Sequence, residues 1–228
     1  MNAMDELLPA SISGERRFPL DPEHGWLRVA MLLIFVGVWL LVFLLGQMLL
    51  AIEGALIISI VAGFAIAAFS AQRLEGPLKQ RWPSGRSVSV TDGSIRLLRR
   101  EEQQESLDTT QEVNVLTWRF RISRRSRVPK GWQMVAVALE QEERYIPLYT
   151  FMSSDDFETL RHHESFTALQ GRRQRRESGD LRLAGEQKRL HSAEQLRWLH
   201  GGEMSREDFS ACLRHLRRRF PAWMPDLV

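Results

Sequence analysis

The stretch RVAMLLIFVGVWLLVFLLGQMLLAIEGALIISIVAGFAIAAFSAQR, residues 28–73, decides how this chain is organised. Between Arg28 and Arg73 only Glu53 is ionisable, and the apolar run is about twice what one helix needs to cross a roughly 30 Å hydrocarbon core. The run must therefore fold back. Glu53, with Gln47 and the helix-weakening Gly46 and Gly54 beside it, marks the polar place for the reversal, because a charge at mid-bilayer is costly. Working outward, a first spanning helix runs from Trp26 to Leu49 and a second from Gly54 to Gln72, with Gly76 and Pro77 expected to stop it. The transmembrane hairpin occupies residues 26–75, after an N-terminal tail over 1–25.

Along the second span, Ala55, Ser59, Gly63, Ala67 and Ala71 recur every fourth residue and share one stripe. In lipid, small residues at such a stripe let backbones approach closely enough for van der Waals packing to hold helices together. Two uses stay open: packing inside the hairpin, with Gly37 as a partner on the first span, or a seam between copies in a homo-oligomer. Neither implies transport, and Glu53 is read as a solvated loop residue.

Arg16, Arg17 and Arg28 precede the hairpin, and Arg73, Lys79, Arg81 and Arg86 follow it, whereas the turn carries no Lys or Arg. Both termini are therefore expected on the cytoplasmic side. The first apolar stretch is too long, and begins too far from Met1, for a cleaved signal, so it is expected to act as an uncleaved anchor. The lone Cys212 agrees with a reducing compartment.

The chain has 228 residues, a net charge of +3 and 44% hydrophobic residues, which are concentrated in the hairpin. The remainder is rich in arginine and leaves room for one small domain with some appended helix, not a large catalytic core. Short β-type segments begin at Ser87 to Val90 and, after the turn Asp92-Gly93, Ile95 to Leu98. Further strands are expected at Glu105 to Asp108, Val113 to Ile122, Trp132 to Leu139 and Arg144 to Leu148, with Pro129-Lys130-Gly131 as a turn. Met134, Ala136 and Ala138 alternate with Val135, Val137 and Leu139, so that strand is expected to be covered on both faces. Ser153 with Asp156 has capping-box spacing and opens a closing helix through Phe157, Leu160 and Leu169 to Gly171.

The expected fold class is thus an α+β membrane protein: a two-helix hairpin, a small antiparallel β barrel or sheet closed by a helix over 84–170, and a helical tail. A charged stretch without apolar periodicity reads as a basic linker over 171–190. Ser192 with Gln195 and Ser205 with Asp208 have capping spacings that make 191–228 a helical hairpin, broken at Gly201-Gly202.

Strands followed by one closing helix is the element order of a pleckstrin-homology-like (PH-like) barrel, and of other small sheet-plus-helix folds. The segment from Tyr145-Ile146-Pro147-Leu148 through Phe151-Met152-Ser153-Ser154-Asp155-Asp156-Phe157 resembles the end of YcxB-like and bacterial PH-like membrane proteins, which also place a two-helix hairpin before the sheet. That resemblance implies a PH-like domain anchored in a bacterial cytoplasmic (inner) membrane. Gly202-Glu203-Met204-Ser205-Arg206-Glu207-Asp208-Phe209 resembles the core of the short C-terminal (SHOCT) domain, which implies a protein-interaction or oligomerisation tail.

Catalytic and metal constellations are not legible. His200, Cys212 and His215 offer ligands without a second pair at finger-like spacing, and His162-His163 would point about 100° apart on a helix. No Gly-x-Ser-x-Gly elbow or phosphate cradle occurs, and Glu101, Glu102, Glu105 and Asp108 suit a solvated hairpin connection. No enzyme and no cofactor are expected. The strongest functional signal is Arg119, Arg121, Arg124, Arg125, Arg127 and Lys130, interleaved with Trp118, Phe120 and Trp132. Beside an inner leaflet, each such cation contributes about 1 kcal/mol toward anionic lipid headgroups, and aromatic rings suit the headgroup zone. A solvated strand face that guards a sheet edge explains the same residues. Single-stranded nucleic acid fits less well, given the membrane tether. The expected function is a non-catalytic, membrane-anchored interaction module with a scaffold, assembly or regulatory role and a protein partner. The alternative is an accessory subunit of a membrane enzyme or a lipid-handling enzyme, which needs a cleft of convergent polar groups.

Overall fold

The apolar stretch forms α1 (Gly25–Leu49) and α2 (Ala55–Arg81), within a unit spanning Asp21–Ser84. The computed structural model describes residues 14–22, 25–49, 55–123, 128–171 and 181–223, so the expected reversal at Glu53 and Gly54 lies outside the described residues. Both helices are long and apolar enough to cross a membrane. They pair antiparallel. Phe35 meets Phe64 edge to face at 5.3 Å, a Cβ on Gly63 would stand 3.0 Å from the Trp39 ring, and Gly46 lies against Ser59 with no room for a Cβ.

Ser59 and Gly63 of the small-residue stripe thus face α1, and Ser59 and Ala67 are buried. Gly46, not Gly37, is the close partner: among the described residues nothing comes within 4 Å of a Cβ built on Gly37. Ala71 is half-buried, and the side chain of Ala55 lies outside the described residues. Leu32, Leu33, Leu41, Leu44, Met48, Ile57, Val61 and Phe69 remain exposed. Helix α2 also runs past Gly76 and Pro77 to Arg81. A proline removes one helical bond without clashing fatally near a helix end, whereas Pro83 disfavours helical geometry at Trp82, where the helix stops.

The other unit comprises Met1–Leu20 and Gly85–Val228. Its first sheet is antiparallel, in the order β1 (Arg16–Pro19), β2 (Arg86–Val90), β3 (Ser94–Arg99), β4 (Glu102–Asp108). Part of the expected N-terminal tail is therefore a strand. Phe18 stands opposite Val88, Pro19 opposite Ser87, and the Leu20 amide donates to the Arg86 carbonyl at 2.9 Å. The hairpin segment leaves and rejoins the sheet at hydrogen-bonded neighbours. Strand β4 begins earlier than expected because Arg100 and Glu101, with φ of 51° and 68°, reverse the chain in two residues without a glycine.

The second sheet is a meander of β5 (Asn114–Arg121), β6 (Gln133–Gln141) and β7 (Arg144–Met152), flanked by short parallel edges β8 (Thr167–Ala168) on β5 and β9 (Gly202–Glu203) on β7. Strand β6 is buried on both faces. Val135, Val137 and Leu139 join Val88, Ile95 and Leu107 of the first sheet, whereas Met134, Ala136 and Ala138 pack with Leu190 and Ala193.

The expected closing helix over 153–169 is only α3 (Ser154–Thr159). Ser153 caps it as the spacing predicts, accepting the Asp156 amide at 3.0 Å. His162 then turns left-handed, with φ of 62°, and a 3-10 turn delivers Phe166 to the core and Thr167–Ala168 to β5. Two later helices do the covering. α4 (Leu181–His200) supplies Leu190 and Ala193 to the outer face of the second sheet, and α5 (Arg206–Arg219) sends Phe209, Cys212 and Leu216 into the main core.

The C-terminal segment is thus not an appended hairpin but part of the same unit. Ser192 does not start a helix; it lies within α4 and its hydroxyl donates to the Lys188 carbonyl at 3.2 Å. Residues 181–190 of the expected linker are helical, and 172–180 lie outside the described residues. Gly202 follows because β9 passes close to β1's end: a Cβ there would stand 2.6 Å from Leu20 Cδ1.

Candidate functional site

Successive residues of β5 point to opposite faces, which separates its aromatic from its basic side chains. Trp118 is fully buried, with Leu116, Phe120 and Ile122 on the same face toward α4. Its indole N–H donates to Glu194 Oε2 at 2.9 Å, and Glu194 in turn accepts two bonds of 2.7 Å from Arg197. The Arg197 guanidinium, 5% exposed, lies 4.4 Å from the centre of the Tyr149 ring. Trp118 therefore anchors α4 and does not reach a headgroup zone. The partners of this network were not legible, since hydropathy marks Glu194 and Arg197 as surface residues.

On the opposite face the basic patch divides. Arg119 is held over the Phe157 ring at 4.9 Å, and its carbonyl accepts the Leu169 amide at 2.8 Å. Arg121 and Lys130 are exposed at the β5–β6 end, where they line a hollow of about 410 Å³ with Ile122, Ser123 and Gly131. No carboxylate is among those lining residues. The ladder extends to this end through Ile122 N–H to Trp132 carbonyl (2.7 Å) and Gly131 N–H to Ile122 carbonyl (3.0 Å). Gly131 takes φ of 96°, and its carbonyl accepts the Ser154 hydroxyl at 3.2 Å, so the hollow is fixed to the start of α3. Trp132 is half-buried, and Arg124, Arg125 and Arg127 lie outside the described residues.

The carboxylates expected in a hairpin connection serve local structure. Glu101 binds Arg17 at 2.7 and 3.0 Å. Asp108 accepts the Thr110 hydroxyl and amide at 2.7 and 2.9 Å, which holds its carboxyl below the usual value.

The sequence candidates for metal binding do not converge. Among the described residues, no group of three or more His, Cys, Asp or Glu side chains is placed to hold an ion. Burial pushes the Cys212 thiol up to about 12, so it stays protonated. The His215 ring lies 6.0 Å from that of Phe18, and burial, aided by Arg16 and Arg218, holds it below its ordinary value. His163 faces Phe157 at 5.6 Å, and His162 sits in the left-handed turn, not on a helix.

A second opening, of about 610 Å³, separates α5 from the turn after α3 and is lined by Arg161, His162, Arg214 and Arg217 among others. In the sequence, Arg214 and Arg217 read as helix-surface charges; their spacing with Ser210 and Leu213 on one helical face was the available signal. Comparison with protein-family models, curated proteins and solved structures finds no match to this chain.

Proposed function

We propose that the chain is a membrane-anchored, non-catalytic interaction module with a scaffold, assembly or regulatory role. Helices α1 and α2 cross a bacterial cytoplasmic membrane twice, both termini face the cytoplasm, and a PH-like β domain is held beside the inner leaflet. There Arg121 and Lys130, with Arg124, Arg125 and Arg127 between them in the sequence, dock on anionic lipid headgroups. The domain's partner is a membrane or cytoplasmic protein, or a second copy of the chain.

One observation carries this reading: the segment bearing two outwardly apolar helices departs from Leu20 and returns at Arg86, which are hydrogen-bonded neighbours. Ends that meet within one sheet lie on one side of any bilayer, which demands an even number of crossings. An exposed apolar surface of that extent also needs a cover, and the length and hydropathy of both helices suit lipid. A four-stranded antiparallel sheet followed by the β5–β6–β7 meander at the centre of the five-stranded one, with α5 packed into the core, supports the PH-like assignment.

The test uses the full chain reconstituted into vesicles, with a fluorophore on Ser123→Cys; the buried Cys212 leaves that site selectively reactive. Headgroup-linked quencher should dim the probe in anionic vesicles, and about 1 M salt, where the Debye length is about 3 Å, should restore it. Arg121→Glu with Lys130→Glu should abolish the dimming. Equal signals in zwitterionic and anionic vesicles would defeat lipid docking, and a full chain that stays in solution without detergent would defeat the anchor.

A further inference from the structure

The groove beside α5 has two unlike walls. Along one, Arg206, Ser210, Leu213, Arg214 and Arg217 occupy one face of the helix, while Phe209, Cys212 and Leu216 on the adjoining face are buried in the core. The other wall is Thr159, Leu160, Arg161 and the left-handed His162. Leu160 and Leu213, each only partly covered, supply apolar surface between them.

Charge is segregated along the groove. At one end Arg206 is neutralised by Asp156 and Glu207. At the other end Arg161, Arg214 and Arg217 form no ion pair with a carboxylate among the described residues. Their field is felt by His162, whose imidazole is held below its ordinary value by desolvation and by Arg217 and Arg161.

We infer that this groove binds an acidic, amphipathic peptide segment of a protein partner, with its carboxylates against Arg161, Arg214 and Arg217 and its apolar side chains over Leu160 and Leu213. This rests on the reading of the chain as an interaction module and names the partner's chemistry. Two features select a peptide over a small anion. From Arg206 to Arg217 the helix wall extends about 16 Å, at about 1.5 Å per residue, which a phosphate or a single carboxylate cannot fill. The partly covered leucines gain nothing from a small hydrophilic anion, whereas a peptide that alternates acids with leucines buries them and pairs the cations. The cationic end supplies the charge complementarity and selects acidic over basic segments.

The experiment measures fluorescence anisotropy of a short labelled peptide of Glu and Leu pairs against the full chain in detergent. Saturable binding is expected, weakened at least about tenfold by Gln in place of every Glu, and likewise by Arg214→Glu with Arg217→Glu. Arg214→Glu alone, at an exposed position outside the core, should weaken binding in the same direction. The double variant should instead bind the Lys-for-Glu peptide. Arg121→Glu with Lys130→Glu should leave peptide binding unchanged, and inorganic phosphate should not displace the peptide. Absence of saturable binding, indifference to the Glu-to-Gln change, or displacement by phosphate would overturn the proposal. If the groove variants instead abolish quenching at Ser123→Cys in anionic vesicles, the groove serves lipid and the peptide assignment falls. Loss of quenching only in the Arg121 and Lys130 variant, with peptide binding absent throughout, would leave the anchoring and docking reading intact and remove this one.

Discussion

Trp118 and Glu194 meet at 2.9 Å across a separation of 76 residues, and this hydrogen bond joins β5 of the second sheet to the helix that covers it. Glu194 also holds the nearly inaccessible Arg197, whose guanidinium lies over Tyr149 of β7. One carboxylate therefore satisfies an indole and a guanidinium on the face where α4 packs. Leu190 and Ala193 add apolar contact beside it. The helix is held by this polar cluster as well as by hydrophobic area, and breaking the cluster leaves a charge stranded.

Glu194→Ala should therefore cost about 3 kcal/mol, the range seen when one partner of a buried ion pair is removed. Glu194→Leu combined with Arg197→Met should recover most of that loss, because neither a charge nor an indole-bound carboxylate then needs satisfying apart from the Trp118 N–H. Denaturant unfolding of the full chain in detergent, followed through tryptophan emission, reads both. Equal stability of the single and double variants would show that the network is not coupled.

Because Leu20 and Arg86 are hydrogen-bonded neighbours, residues 22–84 should be replaceable by a short glycine-serine turn. The shortened chain should be monomeric in buffer without detergent and show a single cooperative unfolding transition, whereas the full chain sediments with membranes. Circular dichroism and analytical ultracentrifugation check this. Aggregation of the shortened chain would mean that the β domain depends on the hairpin.

Within the hairpin, Gly46→Val should push α1 away from Ser59, where no Cβ fits, and Gly37→Val should be tolerated because space is open there. A disulfide between Phe35→Cys and Phe64→Cys, at positions whose rings now meet at 5.3 Å, reports the pairing. Its yield should fall with Gly46→Val and persist with Gly37→Val.

His215 makes stability depend on pH in a definite direction. Its folded value lies below the ordinary 6.5 because of burial and the cations Arg16 and Arg218, so below pH 6.5 the unfolded chain binds a proton that the folded chain refuses. Stability should decline as pH falls through that value and level off once the folded imidazole protonates. His162 acts in the same sense. His215→Phe should flatten the decline that sets in as pH falls through the ordinary histidine value of 6.5, as measured by unfolding midpoints.

The strands were legible because their signals are local. The turn Asp92-Gly93 and the doubly apolar run of β6 specify a hairpin and a buried strand from neighbouring residues alone. Caps at Ser153 and Ser205 were legible for the same reason, each accepting an amide three residues on at 3.0 Å. Strand β1 was not, because Arg16-Arg17-Phe18-Pro19 carries little apolar alternation and finds its partner only beyond the hairpin. The early end of α3 depends on His162 adopting a left-handed turn, which no glycine announces. α4 was read as linker plus helix because its buried face includes Gln187, which is satisfied by the Gln170 amide and Ala168 carbonyl, and Arg197, satisfied by Glu194. Specific partners make such polar side chains compatible with burial, and hydropathy cannot see partners. In the basic patch, composition located the charge, but only geometry separates Arg119, engaged with Phe157, from the outward Arg121 and Lys130.

The placement of β1 ahead of the apolar helices sets an order for synthesis. Arg16–Pro19 leaves the ribosome well before Ser87–Val90, the residues it must pair with, and the greasy segment emerges in between. On the anchored reading, the nascent chain commits to the bilayer while its opening strand is still single, and the first sheet zips shut only afterward. Targeting therefore comes before folding, and a ribosome-bound chain halted once both apolar helices, but not Arg86–Val90, have cleared the ribosome would carry an inserted hairpin with its Arg16-Arg17 peptide bond still open to protease.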